Sequence, residues 1–415
     1  MVTIADAKAD LLNLADGDGQ RRFAAEAIEF LSAHLPLRPP ANEGWGVGDE
    51  RLTLFHETTD AEERAEVLAA RQWQKARWES GFGWITGPDE FGGRGLAWDY
   101  EALYRRIESA FAVPDMSPLR IGIGTVGPAI LTNGTPDQIR RYVVPIYRGE
   151  TVACQLFSEP AAGSDLAGVQ TRAVAVDGGW QLTGQKVWTS NAQVADIGLA
   201  LVRTDPAAPK HRGLTMVVVD MSARGVQVRP LRQMTGGASF TEVFLDEVWV
   251  SREATVGEVG GGWTVATRAL AGERKAVGDR THEITEQAIA LLGELARRTG
   301  RDRDPLVRQQ WSRVYGRLRI ARFQQQRVRK IPESQLSGAE RAIDKLLVSA
   351  NLRALGDLAA TVLGQELVVN NGQWGTFGWT KWIMGAFGYR IAGGTEEILK
   401  TMLAERALML PREPR

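Results

Sequence analysis

The chain has 415 residues, with 50 Lys and Arg against 50 Asp and Glu, so its formal charge is zero. At roughly 100–200 residues per domain this is two to four domains, with enough chain to bury a core without covalent staples. Balanced charge excludes the global positive field that would hold nucleic acid or an anionic membrane.

A single cysteine, Cys154, excludes an internal disulfide framework and a multi-Cys zinc site, and it suits a reducing cytoplasm. His34, His56, His211 and His282 are scattered without metal-ligand spacing, so no metal is expected. The 45 glycines and 13 tryptophans predict many tight turns and many flat apolar surfaces. The first residues meet an acid at Asp6 and lack the basic-then-apolar order of a secretory signal. The longest uncharged stretch, 121–136, is broken by Gly and Pro and falls short of the ~20 apolar residues of a membrane span. A soluble, intracellular protein is expected.

In chain order, apolar residues recur every three or four positions over 20–35 and 60–80, which predicts amphipathic helices. Gly122-Ile123-Gly124-Thr125-Val126-Gly127 satisfies G-x-G-x-x-G. Pro128 follows directly and no strand precedes, so close helix packing is the better reading than a dinucleotide site. Between 151 and 251 the period falls to two, with β-branched runs at 171–176, 213–219 and 226–228 and a hairpin signal at Asp177-Gly178-Gly179. After Gly260-Gly261-Gly262 the helical period returns and runs to 412, with interruptions expected near 301–305, 331–338 and 370–387. The order is helices, strands, helices, without an internal repeat.

The segment Gln155-Leu156-Phe157-Ser158-Glu159-Pro160-Ala161-Ala162-Gly163-Ser164-Asp165, followed by Lys186-Val187-Trp188-Thr189-Ser190-Asn191, combines short hydroxyl donors, exposed backbone and an indole. A flat polar ring with carbonyls and ring nitrogens uses such groups, although each piece alone also reads as a turn or a strand Trp. Three further motifs accompany it. They are Gly83-Trp84 to Gly95, Ser239-Phe240-Thr241-Glu242-Val243-Phe244-Leu245-Asp246-Glu247-Val248, and Ala392-Gly393-Gly394-Thr395-Glu396-Glu397-Ile398 with Ala404-Glu405-Arg406.

Together these five ordered motifs resemble the acyl-CoA dehydrogenase family of flavoproteins, in the manner of its actinobacterial members. The resemblance implies a multi-domain α+β fold: an N-terminal α-helical domain (1–150), a central antiparallel β-barrel or sandwich domain (151–255) and a C-terminal four-helix bundle (256–415). It implies FAD held by Gln155, Leu156, Phe157, Ser158, Gly163, Ser164, Trp188, Thr189, Ser190, Thr395 and Glu397. It places Ser164, Arg274, Gly393 and Gly394 at the acyl-CoA substrate. The implied reaction is α,β-dehydrogenation of a CoA thioester, in which a base takes the Cα proton and the β-hydrogen passes as hydride to flavin N5. Weak Cα acidity calls for hydrogen bonds to the thioester carbonyl and a desolvated carboxylate base of raised pKa.

Most of the family carries that carboxylate one residue before the Gly-Thr pair, and here Gly393 stands there. A minority place it on the first long C-terminal helix before an Arg, which matches Leu270-Ala271-Gly272-Glu273-Arg274 and makes Glu273 the candidate base. A helix-interior Gly272 costs about 1 kcal/mol and asks for a reason, while the residues alone also allow a surface Glu in a charged helix. The family Gln that reaches a neighbour's FAD is replaced by Val369, with Gln373 nearby, and the usual Arg-x-x-Phe-Gly segment by Arg297-Arg298-Thr299-Gly300-Arg301-Asp302. Both a homo-oligomer (tetramer or dimer) and an α2β2 heterotetramer fit these losses. The resemblance also implies an electron-transfer flavoprotein as acceptor. A non-catalytic partner subunit and an O2-reactive relative stay open as other functions.

Overall fold

The computed structural model describes residues 4–38, 54–55, 59–331, 338–370 and 376–412; of residues 4–7, 60, 271–283, 329, 338–341 and 376 only the backbone is described. The helical N-terminal part contains α1 (Ile4–Leu12), α2 (Gly17–His34), α3 (Asp60–Glu79) and α4 (Trp98–Glu108). Thr59 and Glu62 form a capping box that starts α3, each side chain bonding the other's backbone N–H. The apolar faces meet in a ring cluster in which Phe30 stacks on Trp73 and Phe82, and Phe82 stacks on Tyr104.

Four short helices follow: α5 (Ser117–Ile121), α6 (Gly127–Asn133), α7 (Pro136–Gln138) and α8 (Val144–Tyr147). The G-x-G-x-x-G run is a π-helical turn between α5 and α6. A Cβ on Gly122 would stand 3.1 Å from Ile146, so this glycine serves close packing, as the sequence indicated.

The central sheet has strands β1 (Ala153–Leu156), β2 (Arg172–Val176), β3 (Gly179–Ser190), β4 (Ile197–Arg203), β5 (Leu214–Asp220), β6 (Val226–Leu231), β7 (Phe240–Ser251) and β8 (Thr255–Val256). They run in the order β6-β7-β3-β2-β4-β5-β8, with β1 beside β4. The Asp177-Gly178 turn forms the expected hairpin, with Gly178 at φ +70° and Val176 opposite Gly179. One correction applies, because the sheet is mixed. Pairing is antiparallel except for β1 with β4 and a single parallel bridge from Arg172 to Arg203. β1 leaves through the long loop 157–171 and not through a hairpin, so its direction is free of the antiparallel constraint.

The C-terminal part is formed by α9 (Gly262–Arg298), α10 (Pro305–Arg329), α11 (Gly338–Leu363) and α12 (Thr376–Ile391), followed by α13 (Glu396–Met402). A Cβ on Gly262 would fall 2.6 Å from the Thr215 carbonyl carbon, so the first residue of α9 lies directly on β5. The interruption expected over 370–387 is wrong from 376 onward, where α12 is continuous. Its glycines are spaces for neighbours: Gly385 and Gly388 face the Phe55 ring, while Trp379 and Trp382 are buried in the bundle core. Tertiary packing here overrides weak helix propensity. The stretch Ala342–Val368 is long and apolar enough to cross a bilayer, but Leu352, Leu355, Leu358 and Ala359 within it are fully buried in the bundle, as in a core helix.

Candidate active site

β1 delivers Gln155 and Leu156 to the edge of the loop 157–165, and β3 ends in Trp188, Thr189 and Ser190. The two segments are joined side by side, with the Val187 N–H donating to the Ser158 carbonyl at 2.9 Å. Beneath them lies a buried ion pair. Lys186 Nζ donates to Glu159 Oε1 at 2.8 Å, Phe157 O at 3.2 Å and Leu201 O at 2.6 Å. Glu159 also accepts the backbone N–H groups of Gln170 and Thr171 at 2.6 and 2.9 Å. All three ammonium protons therefore have partners, which a buried charge requires. Burial pushes the Lys186 ammonium down to about 8 against the opposing pull of Glu159. Burial would raise the Glu159 carboxyl, but Lys186 and its other donors outweigh that and hold it below the ordinary range.

The β3–β7 register shifts between Lys186 and Thr189, and inside this bulge Trp188 takes φ +61°. A bulky residue in the left-handed region is a strained outlier. The bulge turns the indole outward, 63% exposed, with its only ring neighbour among the described residues Phe240 at 6.1 Å. A row of rings continues from Phe240 to Phe55 (5.5 Å) and from Phe55 to Tyr389 on α12 (5.4 Å), tying the start of β7 to the bundle.

The expected cofactor residues divide by accessibility. Leu156 and Phe157 are core side chains, so it is their backbone groups that remain for a ligand. Ser158 and Ser190 are half-buried, Gly163 and Ser164 are exposed, and the three serine hydroxyls bond to none of the described residues. Thr189 is buried and its hydroxyl has no partner among the described residues. An uncovered indole and unused donors at the end of β3 and in the adjoining loop fit a flat ring with a polar rim, so the flavin-type ligand suits the residues present.

The C-terminal segment is built differently. Gly393 and Gly394 lie at φ +68° and +99°, and the Thr395 side chain accepts the Ile398 N–H to cap α13. Lys345 on α11 donates to the Gly394 carbonyl at 2.8 Å, and Glu396 accepts from Ser349 at 2.9 Å and Arg390 at 3.2 Å. Glu397 is exposed. Among the described residues no hydrogen bond or ring contact links this turn to the 155–158 or 188–190 segments. Within one chain, then, the first two motifs meet and the third stands apart on α11. Glu273 and Arg274 lie on the α9 backbone, and their side chains fall outside the described residues, as do Gln373 and Trp374. A hollow of about 260 Å³ lies elsewhere, between α9 and α10.

Sequence reasoning missed Lys186 and Lys345 as buried charges, Glu159 as the partner of Lys186, and the ring row. A Lys in an alternating strand reads as solvated, and only the fold brings Glu159, 27 residues earlier, beside Lys186.

Helices, a mixed sheet and helices in chain order, with an exposed indole and unbonded hydroxyls at the end of β3, suit a flavoprotein. Three family models match the chain in order: acyl-CoA dehydrogenase N-terminal domain over 48–150, middle domain over 154–248 and C-terminal domain over 260–408. The chain belongs to the acyl-CoA dehydrogenase family, and it is an FAD-dependent oxidoreductase. It is 34% identical to acyl-CoA dehydrogenase IpdE1 of Mycobacterium tuberculosis over 94% of this chain and 98% of that protein. With acyl-CoA dehydrogenase FadE34 of the same organism it shares 42% identity over 69% of this chain, a match that spans only 39% of FadE34. The solved Tcur3481-Tcur3483 steroid ACAD superposes with a TM-score of 0.74 at 25% identity, over 96% of this chain and 100% of that one.

Proposed function

We propose that this chain catalyses α,β-dehydrogenation of an acyl-CoA thioester to the 2-enoyl-CoA, with the Glu273 carboxylate as the base that takes the Cα proton. The observation that carries the reading is Gly393 at φ +68° in the position where most relatives hold the base, together with a Glu-Arg pair on α9, the helix seated on β5 through Gly262. Bound FAD supplies the acceptor for the β-hydrogen. Trp188 would cover one face of the ring, and Ser158 and Ser190 would bond its edge. Gln155, Leu156 and Phe157 contribute through the β1 terminus, and Gly163 leaves the loop open to a ligand. Thr395 and Glu397 belong to the FAD contacts and Ser164 and Arg274 to the substrate. Gly393 and Gly394 leave room for the acyl chain.

A bulky, polycyclic acyl group is the proposed substrate, supported by the steroid ACAD likeness. The remaining parts of the proposal are domain limits at 1–150, 151–255 and 256–415, a cytoplasmic site of action, and an electron-transfer flavoprotein as acceptor. A second reading, a half-site subunit of a heterotetramer, is favoured by two observations. Arg297 and Arg298 are both tied to Glu294 on their own helix, and Val369 stands where a neighbour's flavin would need Gln. The test is to purify the chain alone and add a panel of CoA thioesters, from short straight chains to steroid side-chain acids, without air. Bleaching of bound flavin by the polycyclic members supports the proposal. A yellow protein bleached by none refutes dehydrogenation, and a colourless one favours the half-site subunit.

A further inference from the structure

Two buried groups on one face of α11 grip the turn that follows α12. Lys345 and Ser349 lie four residues apart, which makes them neighbours on the helix surface, and both are buried. Lys345 Nζ donates to the Gly394 carbonyl at 2.8 Å and to the Arg390 carbonyl at 3.4 Å, while Ser349 Oγ donates to Glu396 Oε1 at 2.9 Å. The Arg390 carbonyl belongs to the last turn of α12, where helical partners run out and a cation is favoured. Glu396 also accepts from the Arg390 side chain at 3.2 Å, which closes 390–396 on itself. Within this turn Gly393 and Gly394 take φ +68° and +99°, and two successive glycines have little conformational preference of their own. Its shape therefore depends on what holds it from outside. Among the described residues no carboxylate forms an ion pair with Lys345, so the ammonium is buried on two carbonyls. A buried charge without a counterion is costly, and an apolar side chain of similar length would avoid that cost. The cation asks for a use beyond packing.

We propose that Lys345 is a positioning residue of the cofactor site: by holding the Arg390 and Gly394 carbonyls, its ammonium fixes the turn 393–395 and so aims Thr395 and Glu397 at FAD. The inference deepens the cofactor contacts proposed for Thr395 and Glu397 and rests on them. Such a role differs from packing in its pH dependence. Burial pushes the Lys345 ammonium down from 10.5 to about 8 against the pull of Glu396 and Glu397, and Arg390 adds to the fall. Glu396 titrates below its ordinary value and Arg390 above, so neither changes charge near that pH. The other charged groups of the packed elements are Lys400 on α13, Asp344 on α11, Glu405 and Arg406 in the turn 403–407, and Arg317 of α10, which bonds Asn351. On α9, Glu286 is paired with Arg322, and Glu294 with Arg297 and Arg298. The folded chain releases the Lys345 proton through about 8 and the unfolded chain only through 10.5, so the stability linked to this group rises with pH across that window. FAD affinity, which uses the charged clamp, falls across the same window. A lysine that only filled space would leave affinity to follow stability.

The test is a dilution series of the holoenzyme in which released FAD is read by its fluorescence, from about pH 7 to about 9.5. It compares the native chain with Lys345→Met and Lys345→Arg, and the flavin spectrum before dilution verifies each fold. The native dissociation constant is expected to rise about tenfold across the window, within the usual span for coupled sites. Lys345→Arg keeps its charge and should bind tightly throughout, whereas Lys345→Met should bind weakly throughout. Lys186 titrates in the same range but is common to all three chains, so differences between the profiles belong to Lys345. If Lys345→Met does not fold, the native and Lys345→Arg profiles decide. A native step that persists in Lys345→Arg, or a Lys345→Met affinity equal to the native one at pH 7, would overturn the proposal. Thr395→Ala combined with Glu397→Gln separates the two levels of the argument. Native affinity in that pair would remove the cofactor contacts themselves, while weakened affinity there beside an unaltered Lys345→Met profile would remove the positioning role alone.

Discussion

Lys186 Nζ lies 2.8 Å from Glu159 Oε1 with both side chains shut away from water, and this contact joins the strand that bears Trp188 to the loop that bears Ser158. Removing one partner leaves the other charged and buried. Lys186→Met is therefore expected to lower unfolding free energy by about 3–5 kcal/mol, read from denaturant midpoints, and to weaken FAD binding to the apoprotein. Adding Glu159→Gln should restore part of the loss, because the orphaned charge goes. A double variant no more stable than Lys186→Met would contradict the pair's role.

The same contact sets an acid limit. Glu159 titrates below its ordinary 4.5, and so does Glu396, which burial would raise but which Arg390 and Ser349 hold down more strongly. For a carboxyl whose folded pKa is depressed, the unfolded chain binds more protons as pH falls, so its stabilisation is complete above about 4.5 and is lost below. Thermal midpoints should fall as pH drops from 5 toward ~3, and Glu159→Gln should show a shallower fall. An equally steep fall in that variant would assign acid sensitivity elsewhere.

Trp188 sets strain against function. Its left-handed backbone costs on the order of 1–2 kcal/mol, whereas its edge contact with Phe240 returns only about 0.5–1.5. Trp188→Gly should therefore leave apoprotein stability within about 1 kcal/mol of the native chain. Flavin affinity should fall about tenfold or more if the exposed ring covers the flavin as proposed. Titration of FAD into both apoproteins by fluorescence checks this, and equal affinities would deprive the indole of its assigned role.

Gly393 at φ +68° is adapted to glycine. Restoring a carboxylate there with Gly393→Glu is expected to cost about 1 kcal/mol of stability and not to rescue flavin bleaching in a Glu273→Gln background. Rescue at native rates would show that the usual base geometry persists in this chain.

Much of this was readable from residues whose roles are local. The alternation over 151–251, the Asp177-Gly178 turn and the five motifs each depend on neighbours within a few positions, and the hairpin and sheet follow them. What escaped depends on distant partners. α12 looked broken because Gly385 and Gly388 are poor helix formers, and the ring that fills their space, Phe55, is more than 300 residues away in sequence. β1 runs parallel because of how the loop after it travels, which no period records. Leu156 and Phe157 fell in a cofactor motif yet serve the core, since a motif fixes a segment's position without fixing which way each side chain points.

The central claim is that Glu273 takes the Cα proton. Its most direct test is anaerobic stopped-flow reduction of bound flavin by a reactive CoA thioester in the native chain and in Glu273→Gln. The account predicts an intact flavin spectrum in the variant with bleaching slowed by about two to four orders of magnitude, the range for loss of a general base. Bleaching at the native rate in Glu273→Gln would contradict it and return the search for the base to the rest of the chain.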